Sequence, residues 1–246
     1  MKWRYLLEAL KDSRSVMRQA RLSIISHLKS AEKNCPICGF HGRFIGFGDP
    51  VRTGAACPKC WSLERHRLFA LAARDGQILF SDKDVLNFTD DASLRHVAKA
   101  ARTYHTSNYP VANGADFAFD IQAIDLPNAC YDAVICSHIL EHVDDRRALS
   151  ELYRILRPGG KLLFMIPIIE GWSTTYENPS IVSEWERHIH FGQFDHVRYY
   201  GADVRDRISD AGFDLSEYTG SPHHCINYGL LRGEKIFIAT KPRLRG

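Results

Sequence analysis

Residues 120–167 read DIQAIDLPNACYDAVICSHILEHVDDRRALSELYRILRPGGKLLFMIP. Within them YDAVICSH (131–138) is an apolar run rich in β-formers, and DDRRALSELYRIL (144–156) repeats its apolar residues at helical spacing. Pro158-Gly159-Gly160 interrupts the chain, and KLLFMIPI (161–168) is a continuous apolar run of the kind found in strands buried on both faces. A strand, a helix and a second buried strand in that order form a crossover unit of a parallel sheet.

The same alternation continues on both sides. DVLNFT (84–89) predicts a strand and DASLRHVAKAAR (91–102) a helix; RTYHTSN (102–108) and ADFAFD (115–120) are further strand candidates. Toward the C-terminus DVRDRISDAGF (203–213) predicts a helix stopped at Gly212, and EKIFIAT (234–240) a last strand. The expected fold is an α/β sandwich of Rossmann-like type over residues 83–246, built on a mostly parallel sheet. Such sheets bind ligands beyond the carboxyl ends of their strands. Those ends are polar here: Asn87 to Asp91, Ser107-Asn108 and Asp120-Ile121-Gln122. A nucleoside ligand needs an amide or carboxylate for its ribose hydroxyls and an acceptor for its adenine amino group, which Asn108 and Asp120 offer. Asp120 fits a turn cap equally well.

A second signal stands before this domain. Cys35-Pro-Ile-Cys38 and Cys57-Pro-Lys-Cys60 are two C-x-x-C knuckles, and each aims a pair of thiolates at one point. Together they supply four soft ligands, the donor set of a closed structural zinc site that leaves no position for a catalytic water. The intervening GFHGRFIGFGDPVRTGAA (39–56) suits a short hairpin, and WSLERHRLFALAARDG (61–76) carries the second knuckle straight into a helix. The expected organisation is a zinc-knuckle module at 34–62, a connecting helical segment at 63–82 and the α/β domain at 83–246. Cys130, Cys136 and Cys225 have no partner spacing and read as isolated thiols.

Residues 1–33 hold eight Lys/Arg against three acids, with apolar residues at helical spacing. Two readings stay open for this basic helical segment: a helix packed by its apolar face, or a docking arm for RNA, an acidic partner or a membrane surface. The net charge of +3 does not by itself argue for nucleic acid, and no apolar run has the length of a membrane span. With no signal-peptide pattern, a cytoplasmic protein is the expectation.

Residues 120–167 resemble the middle of class I S-adenosylmethionine-dependent methyltransferases: the acidic residue before the third loop, the YDAVICSHILEHV strand with its exit, and LYRILRPGGKLLFMIP. HFGQFDHVRYYGADVRDRISDAGF (190–213), with the knuckles followed by LERHR, is similar to a subgroup that carries both features. The resemblance implies a methyltransferase whose acceptor, whether sugar-like, small-molecule or RNA, is not indicated. It implies that Asp120 holds the adenine amino group beside Ile121 and Gln122, and that Ser137 and His138 line the methionine end of the cofactor. Asn108 then stands where the family has an acidic ribose ligand, and Arg157 to Gly160 form an architectural turn that ends a helix.

The loop after the first strand departs from the family, because Asn87, Phe88, Thr89, Asp90 and Asp91 replace its glycines. Cofactor contacts are expected from Asn87, Thr89, Asp90 and Asp91. Whether Asp90 or Asp91 receives the cofactor's ammonium or caps the next helix stays open. Proton removal from a weak acceptor needs a base, for which His196 and then His138 are the candidates, with His142 beside them. Arg198, Tyr199 and Tyr200 are candidates for lining an acceptor pocket. Two other classes remain: a non-catalytic cofactor-binding or scaffold protein, suggested by the missing glycines, and a zinc-knuckle RNA-binding protein.

Overall fold

The two knuckles share one backbone geometry. The Cys35 amide donates to the Phe40 carbonyl (2.8 Å) and the Gly39 amide to Cys35 (3.0 Å); in the second, Cys57 donates to Ser62 (3.0 Å) and Trp61 to Cys57 (2.9 Å). Gly39 and Trp61, each following the second cysteine of its pair, both turn through positive φ (70° and 59°). These features belong to a computed structural model that describes residues 17–18, 20–21, 24–25, 28, 31–48, 51–89, 91–111 and 114–243. The basic stretch 1–33 lies for the most part outside these residues; of its expected apolar face, Met17, Ile24 and Ile25 are described, the first two exposed and Ile25 half-buried.

The chain divides into two units, residues 1–76 with 219–234, and residues 77–218 with 235–246. The division differs from the sequence expectation in two ways: it cuts the connecting segment at Gly76, and it assigns part of the C-terminal region to the first unit. In the first unit, β1 (Glu32–Asn34) pairs antiparallel with β2 (His41–Arg43), and β3 (Ile45–Phe47) with β4 (Arg52–Ala56). Helix α1 (Glu64–Arg74) follows the second knuckle. His66 Nδ1 accepts from the Leu63 amide (3.1 Å) and so satisfies a donor at the helix start. Arg67, fully buried, donates to the carbonyls of Ser62, Ala55, Tyr228 and Gly229 and lies over the Phe44 ring. One guanidinium thus satisfies four carbonyls drawn from distant parts of the chain.

The second unit is built on a six-stranded sheet. Its strands are β5 (Asp84–Asn87), β6 (Thr103–Thr106), β7 (Tyr131–Ser137), β8 (Leu156–Met165), β11 (Asp214–Thr219) and β12 (Lys235–Thr240), in the spatial order β11-β12-β8-β7-β5-β6. Strands β6, β5, β7 and β8 run parallel to one another, and β12 runs antiparallel to β8. The chain moves from β5 outward to β6 and then returns to β7 on the other side of β5, so strand order reverses between β5 and β7. Helices α2 (Ala92–Val97) and α3 (Asp145–Ile155) make the crossovers. Helix α3 buries Ala148, Leu149, Leu152 and Ile155 in the core with Val134, Leu162, Phe164 and Phe237 of the sheet. Beyond β8 come β9 (Tyr176–Glu177), α4 (Glu184–Phe191), β10 (Arg198–Tyr199) and α5 (Val204–Asp210); α6 (Pro222–Tyr228) belongs to the first unit.

Three local expectations change. Helix α2 ends at Val97 rather than near 102, because the Lys99 and Ala101 amides turn back to carbonyls three residues and three residues behind them, His96 and Ala98. ADFAFD forms only a single bridge, Phe117 to Ser107: the Asp116 carboxylate takes the Thr106 amide (2.8 Å), a donor that a longer ladder would use. Arg157 to Gly160 are not a turn ahead of the strand but its first residues, since α3 gives way to extended chain at Leu156. Gly159 adopts φ 82°, and a Cβ on Gly160 would stand 2.8 Å from the Arg157 carbonyl oxygen, which explains both glycines. Arg157 Nη1 donates to Asp84 (2.9 Å) and Asp132 (2.8 Å), binding the starts of β5 and β7 together.

Candidate active site

At the carboxyl ends of β5, β6 and β7, beside the point of strand reversal, lies a cavity of about 690 Å³, within the range typical of small-molecule sites. One side is formed by Phe88, Asn108, Phe119, Asp120, Ile121 and Gln122, and the other by Ile139, His142, Val143, Arg187 and Asp195. The first side is held by backbone hydrogen bonding. The Asn108 amide donates to Phe117 O (3.1 Å), the Ser107 hydroxyl accepts from the Phe119 amide (2.9 Å), and Phe117 and Phe119 stack at 4.7 Å. Asp120 Oδ1 accepts from the backbone amide (2.9 Å) and side-chain amide (3.2 Å) of Gln122, closing a tight turn. The segment beyond is tied to α3: Glu151 accepts from the Ile124 amide (2.8 Å), and Arg154 donates to the carbonyls of Ile124 and Leu126. Gln122 Oε1 also accepts from the Asp144 amide (3.0 Å), at the N-cap of α3.

The second side grows from the exit of β7. His138 turns through φ 55° while its amide donates to Met165 O (2.8 Å), and Leu140–His142 make one 3₁₀ turn. The DHVRYY segment lies against that turn. The Val197 amide donates to Glu141 O (2.9 Å), Arg198 to the carbonyls of Leu140 (2.7 Å) and Val143 (2.6 Å), and the Tyr200 hydroxyl to Leu140 O (3.1 Å) and Asp145 (3.0 Å). Glu177 pairs with both Arg198 and Arg207, and Asp145 with Arg207. The consequence is a histidine cluster. His142 Nδ1 is 3.3 Å from Asp195 Oδ2, the His142 and His196 rings meet edge to face at 4.6 Å, and His138 Nδ1 is 3.4 Å from Glu141 Oε1. Burial, reinforced by the adjoining His142, pushes the His196 imidazolium below its ordinary pKa and favours the neutral ring.

The expected cofactor residues separate into two groups. Asn108, Asp120, Ile121 and Gln122 come together on the cavity wall. Asn87 does not reach it: the side chain is fully buried, its amide donating to the Tyr104 hydroxyl (2.9 Å) and its oxygen accepting from Thr89 (3.1 Å). Thr89 is thereby turned toward Asn87 and away from the wall, while Phe88 between them lines the cavity. Asp91 is the N-cap of α2, accepting from the Ser93 and Leu94 amides. Asp90 lies outside the described residues. Ser137, His138 and His196 do not line this cavity; Ser137 and His138 precede its member Ile139 in the chain, and His196 meets its member His142 edge to face. Arg198, though engaged in the network beneath the 3₁₀ turn, also lines a second cavity of about 520 Å³ with His142, Val143 and Arg187, whereas Tyr200 is buried in that network.

Arg187 and Asp195 were missing from the expected cavity wall. Arg187 sits on α4, whose start carries a legible signal: Ser183 and Glu186 form a capping box. Asp195 gave no signal, because its approach to His142 depends on a tertiary contact.

In the first unit the four cysteines converge. Cys35 and Cys60 Sγ are 3.6 Å apart, Cys38 and Cys57 Sγ 3.7 Å, and all four lie within 4.8 Å of one another. A tetrahedral zinc with Zn–S bonds of about 2.3 Å places its sulfurs about 3.8 Å apart, so the donor set and spacing fit that ion. His66 is engaged as a helix-start acceptor and His41 bonds Asn34 (2.9 Å).

Sheet order and a cavity lined by Asn108 and Asp120 at the point of strand reversal define a doubly wound α/β domain. Residues 87–164 match a family model described as a methyltransferase domain. Among curated proteins, the ubiquinone/menaquinone biosynthesis C-methyltransferase UbiE of Pectobacterium carotovorum subsp. carotovorum is 29% identical over 111 residues, covering 39% of this chain and 44% of that protein. UbiE of Escherichia coli O1:K1 is 32% identical over 111 residues, with the same coverage of both chains. The chain thus spans less than half the length of these relatives. Among solved structures, the [4+2]-cyclase SpnF aligns at TM-score 0.53 with 16% identity, covering 76% of this chain and 85% of that one. YcgJ of Bacillus subtilis aligns at TM-score 0.50 with 14% identity, covering 74% and 100%. Both share the fold. Residues 87–164 thus match a methyltransferase domain on this fold, and the first unit of the same chain holds the cysteine-knuckle cluster.

Proposed function

We propose that the protein transfers a methyl group from S-adenosylmethionine to an acceptor in the cavity at the ends of β5, β6 and β7. The observation that carries this is the convergence of Asn108 and Asp120–Gln122 on one side of a single cavity with His142 on the other. Asn108 would meet the ribose hydroxyls and the Asp120 carboxylate the adenine amino group, while Phe88 and Ile121 cover the apolar ring faces. The cofactor supplies an activated methyl on a sulfonium. The protein's own share is alignment of the acceptor and, for a hydroxyl or acidic carbon, removal of a proton. The cluster of His138, His142 and His196 provides basic nitrogens on that side, and neutral His196 fits the role of base. In the first unit, Cys35, Cys38, Cys57 and Cys60 hold a structural zinc.

One observation favours a second reading, a non-catalytic cofactor-binding or scaffold protein. The loop after β5 has its polar side chains committed to internal bonds, with Asn87 on Tyr104 and Asp91 on the α2 amides. The fold also serves other chemistry, as the cyclase SpnF illustrates. Calorimetric titration with S-adenosylmethionine and S-adenosylhomocysteine tests the leading proposal: both should bind, and Asp120→Ala should weaken binding by about tenfold, the scale of one lost hydrogen bond to a charged group. Absence of binding at millimolar concentration would overturn it. Binding without methyl transfer to any oxygen, nitrogen or carbon acceptor in a panel would favour the scaffold reading. An RNA-binding role rests on the knuckles together with the basic residues 1–33, most of which lie outside the described residues.

A further inference from the structure

Glu141 is 1% exposed at the exit of β7. One of its oxygens stands 3.4 Å from His138 Nδ1, and the other, Oε2, is buried with no hydrogen-bond partner among the described residues. A carboxylate held away from water needs compensation on both oxygens, because an unmet buried charge is strongly unfavourable. The groups around it are metal ligands. Donor atoms of Glu141, His142 and His196 all lie within 4.8 Å of one another, and His196 Nδ1 is a second buried atom with no hydrogen-bond partner among the described residues. His142 also lines the cavity, with Asp195 Oδ2 3.3 Å from its Nδ1.

We infer that Glu141, His142 and His196 form a binding site for a divalent first-row transition-metal ion, distinct from the four-cysteine cluster. Two imidazoles and one carboxylate are a donor set that such ions favour, and three protein ligands leave positions open. Ligand atoms on one ion stand about 3 to 3.5 Å apart at bond lengths of about 2.1 Å, so small rotations of partly exposed His142 close the set. Asp195 is placed to orient the His142 ring or to serve as a fourth ligand. A cation here answers the unmet oxygen of Glu141 and the unmet nitrogen of His196 together. The backbone bond from Val197 to Glu141 and the Arg198 clamp on Leu140 and Val143 hold the two ligand-bearing segments in register. The inference also bears on the proposed methyl transfer, on which the metal site itself does not depend. With His196 on the ion, the base role falls to His138, and the open positions favour acceptors that carry oxygen donors.

The test uses full-length protein, retaining whatever ion its cysteines hold, washed with EDTA and titrated with Mn²⁺ while free Mn²⁺ is followed by electron paramagnetic resonance. One Mn²⁺ should bind per chain. Glu141→Gln and His142→Ala should each weaken binding by at least about tenfold, and His188→Ala on exposed α4 should leave it unchanged. Far-UV circular dichroism and melting curves establish that each variant is folded, and the wild-type stoichiometry stands without any variant. No binding of Mn²⁺, Co²⁺ or Zn²⁺ beyond the cysteine equivalent would overturn the site, as would binding that Glu141→Gln leaves unchanged. Metal stoichiometry is read without S-adenosylmethionine, so failure here and failure of the methyltransferase proposal are separate results.

Discussion

Asp91 Oδ1 accepts the backbone amide of Ser93 at 2.8 Å, and of Leu94 at 3.2 Å, as the N-cap of α2. The carboxylate therefore serves the helix that follows the loop after β5. Replacing such a cap by alanine costs about 1 kcal/mol. Asp91→Ala should lower the unfolding free energy by about that amount in urea titration, with Asp91→Ser restoring most of it. Its affinity for S-adenosylhomocysteine should stay within about threefold of wild type, or less than about 0.7 kcal/mol. A tenfold loss of affinity with unchanged stability would assign the carboxylate to the cofactor instead.

The pairing of Asp84 with Arg102 and Arg157 predicts a particular acid response. Hydrogen bonding from Arg102 is the main cause holding the Asp84 carboxyl well below the usual range; burial opposes it and Arg157 adds to it. A carboxylate whose pKa falls on folding stabilises the native state above its unfolded value, near 4, and loses that contribution as pH drops toward the folded value. Asp84→Asn should therefore be less stable by about 1–3 kcal/mol at pH 7. The gap should narrow steadily below pH about 4. Equal gaps at pH 7 and pH 3 in denaturant titrations would show that the charge is not the source.

Much of the fold was legible because its signals are local. The apolar run of β7, the 3.6-residue repeat of α3 and the buried strand β8 can be recognised within short windows, as can the two knuckles. Asn108 is legible because it follows β6, and Asp120 because it ends a strand-like run that, though it forms only the Phe117–Ser107 bridge, still leads to the cavity. The rest depends on contacts far apart in sequence. Nothing local separates Asn87, turned inward to Tyr104, from Phe88, which faces the cavity. Nothing in DHVRYY states that Arg198 and Tyr200 will be consumed by the carbonyls of Leu140 and Val143, bringing His196 to His142. Arg67 reads as one more charge on an amphipathic helix, yet it is fully buried among four carbonyls.

That burial makes Arg67 the most consequential single charge in the first unit. Arg67→Met fills space but strands the carbonyls of Ser62, Ala55, Tyr228 and Gly229 without their donor, at a cost of about 3 kcal/mol or more. Arg67→Lys should also fail, because one ammonium on a flexible stem cannot reproduce the planar fork. Hydrogen exchange of backbone amides in α1 and β4 of the first unit should show both variants opening at lower denaturant than wild type. A lysine variant as stable as wild type would indicate that charge alone suffices.

The knuckles offer a comparison within one molecule. Gly39 and Trp61 occupy matching positions at φ 70° and 59°, but only glycine adopts that region without a steric penalty, which for other residues is about 1–2 kcal/mol. The Trp61 side chain is largely exposed and so recovers little of that cost through packing. Trp61→Gly should leave the knuckle equally stable or up to about 1 kcal/mol more stable, less than the full penalty because glycine also has more freedom to lose on folding. Gly39→Ala should destabilise it by about 1 kcal/mol. Cys57→Ser should release the metal altogether, with loss of folded structure in the first unit. Zinc retention against a graded series of chelator concentrations orders the four proteins, with Trp61→Gly at or above wild type, then Gly39→Ala, then Cys57→Ser. If Trp61→Gly instead gives up zinc more easily than wild type, the indole stabilises the knuckle by more than its backbone strain costs.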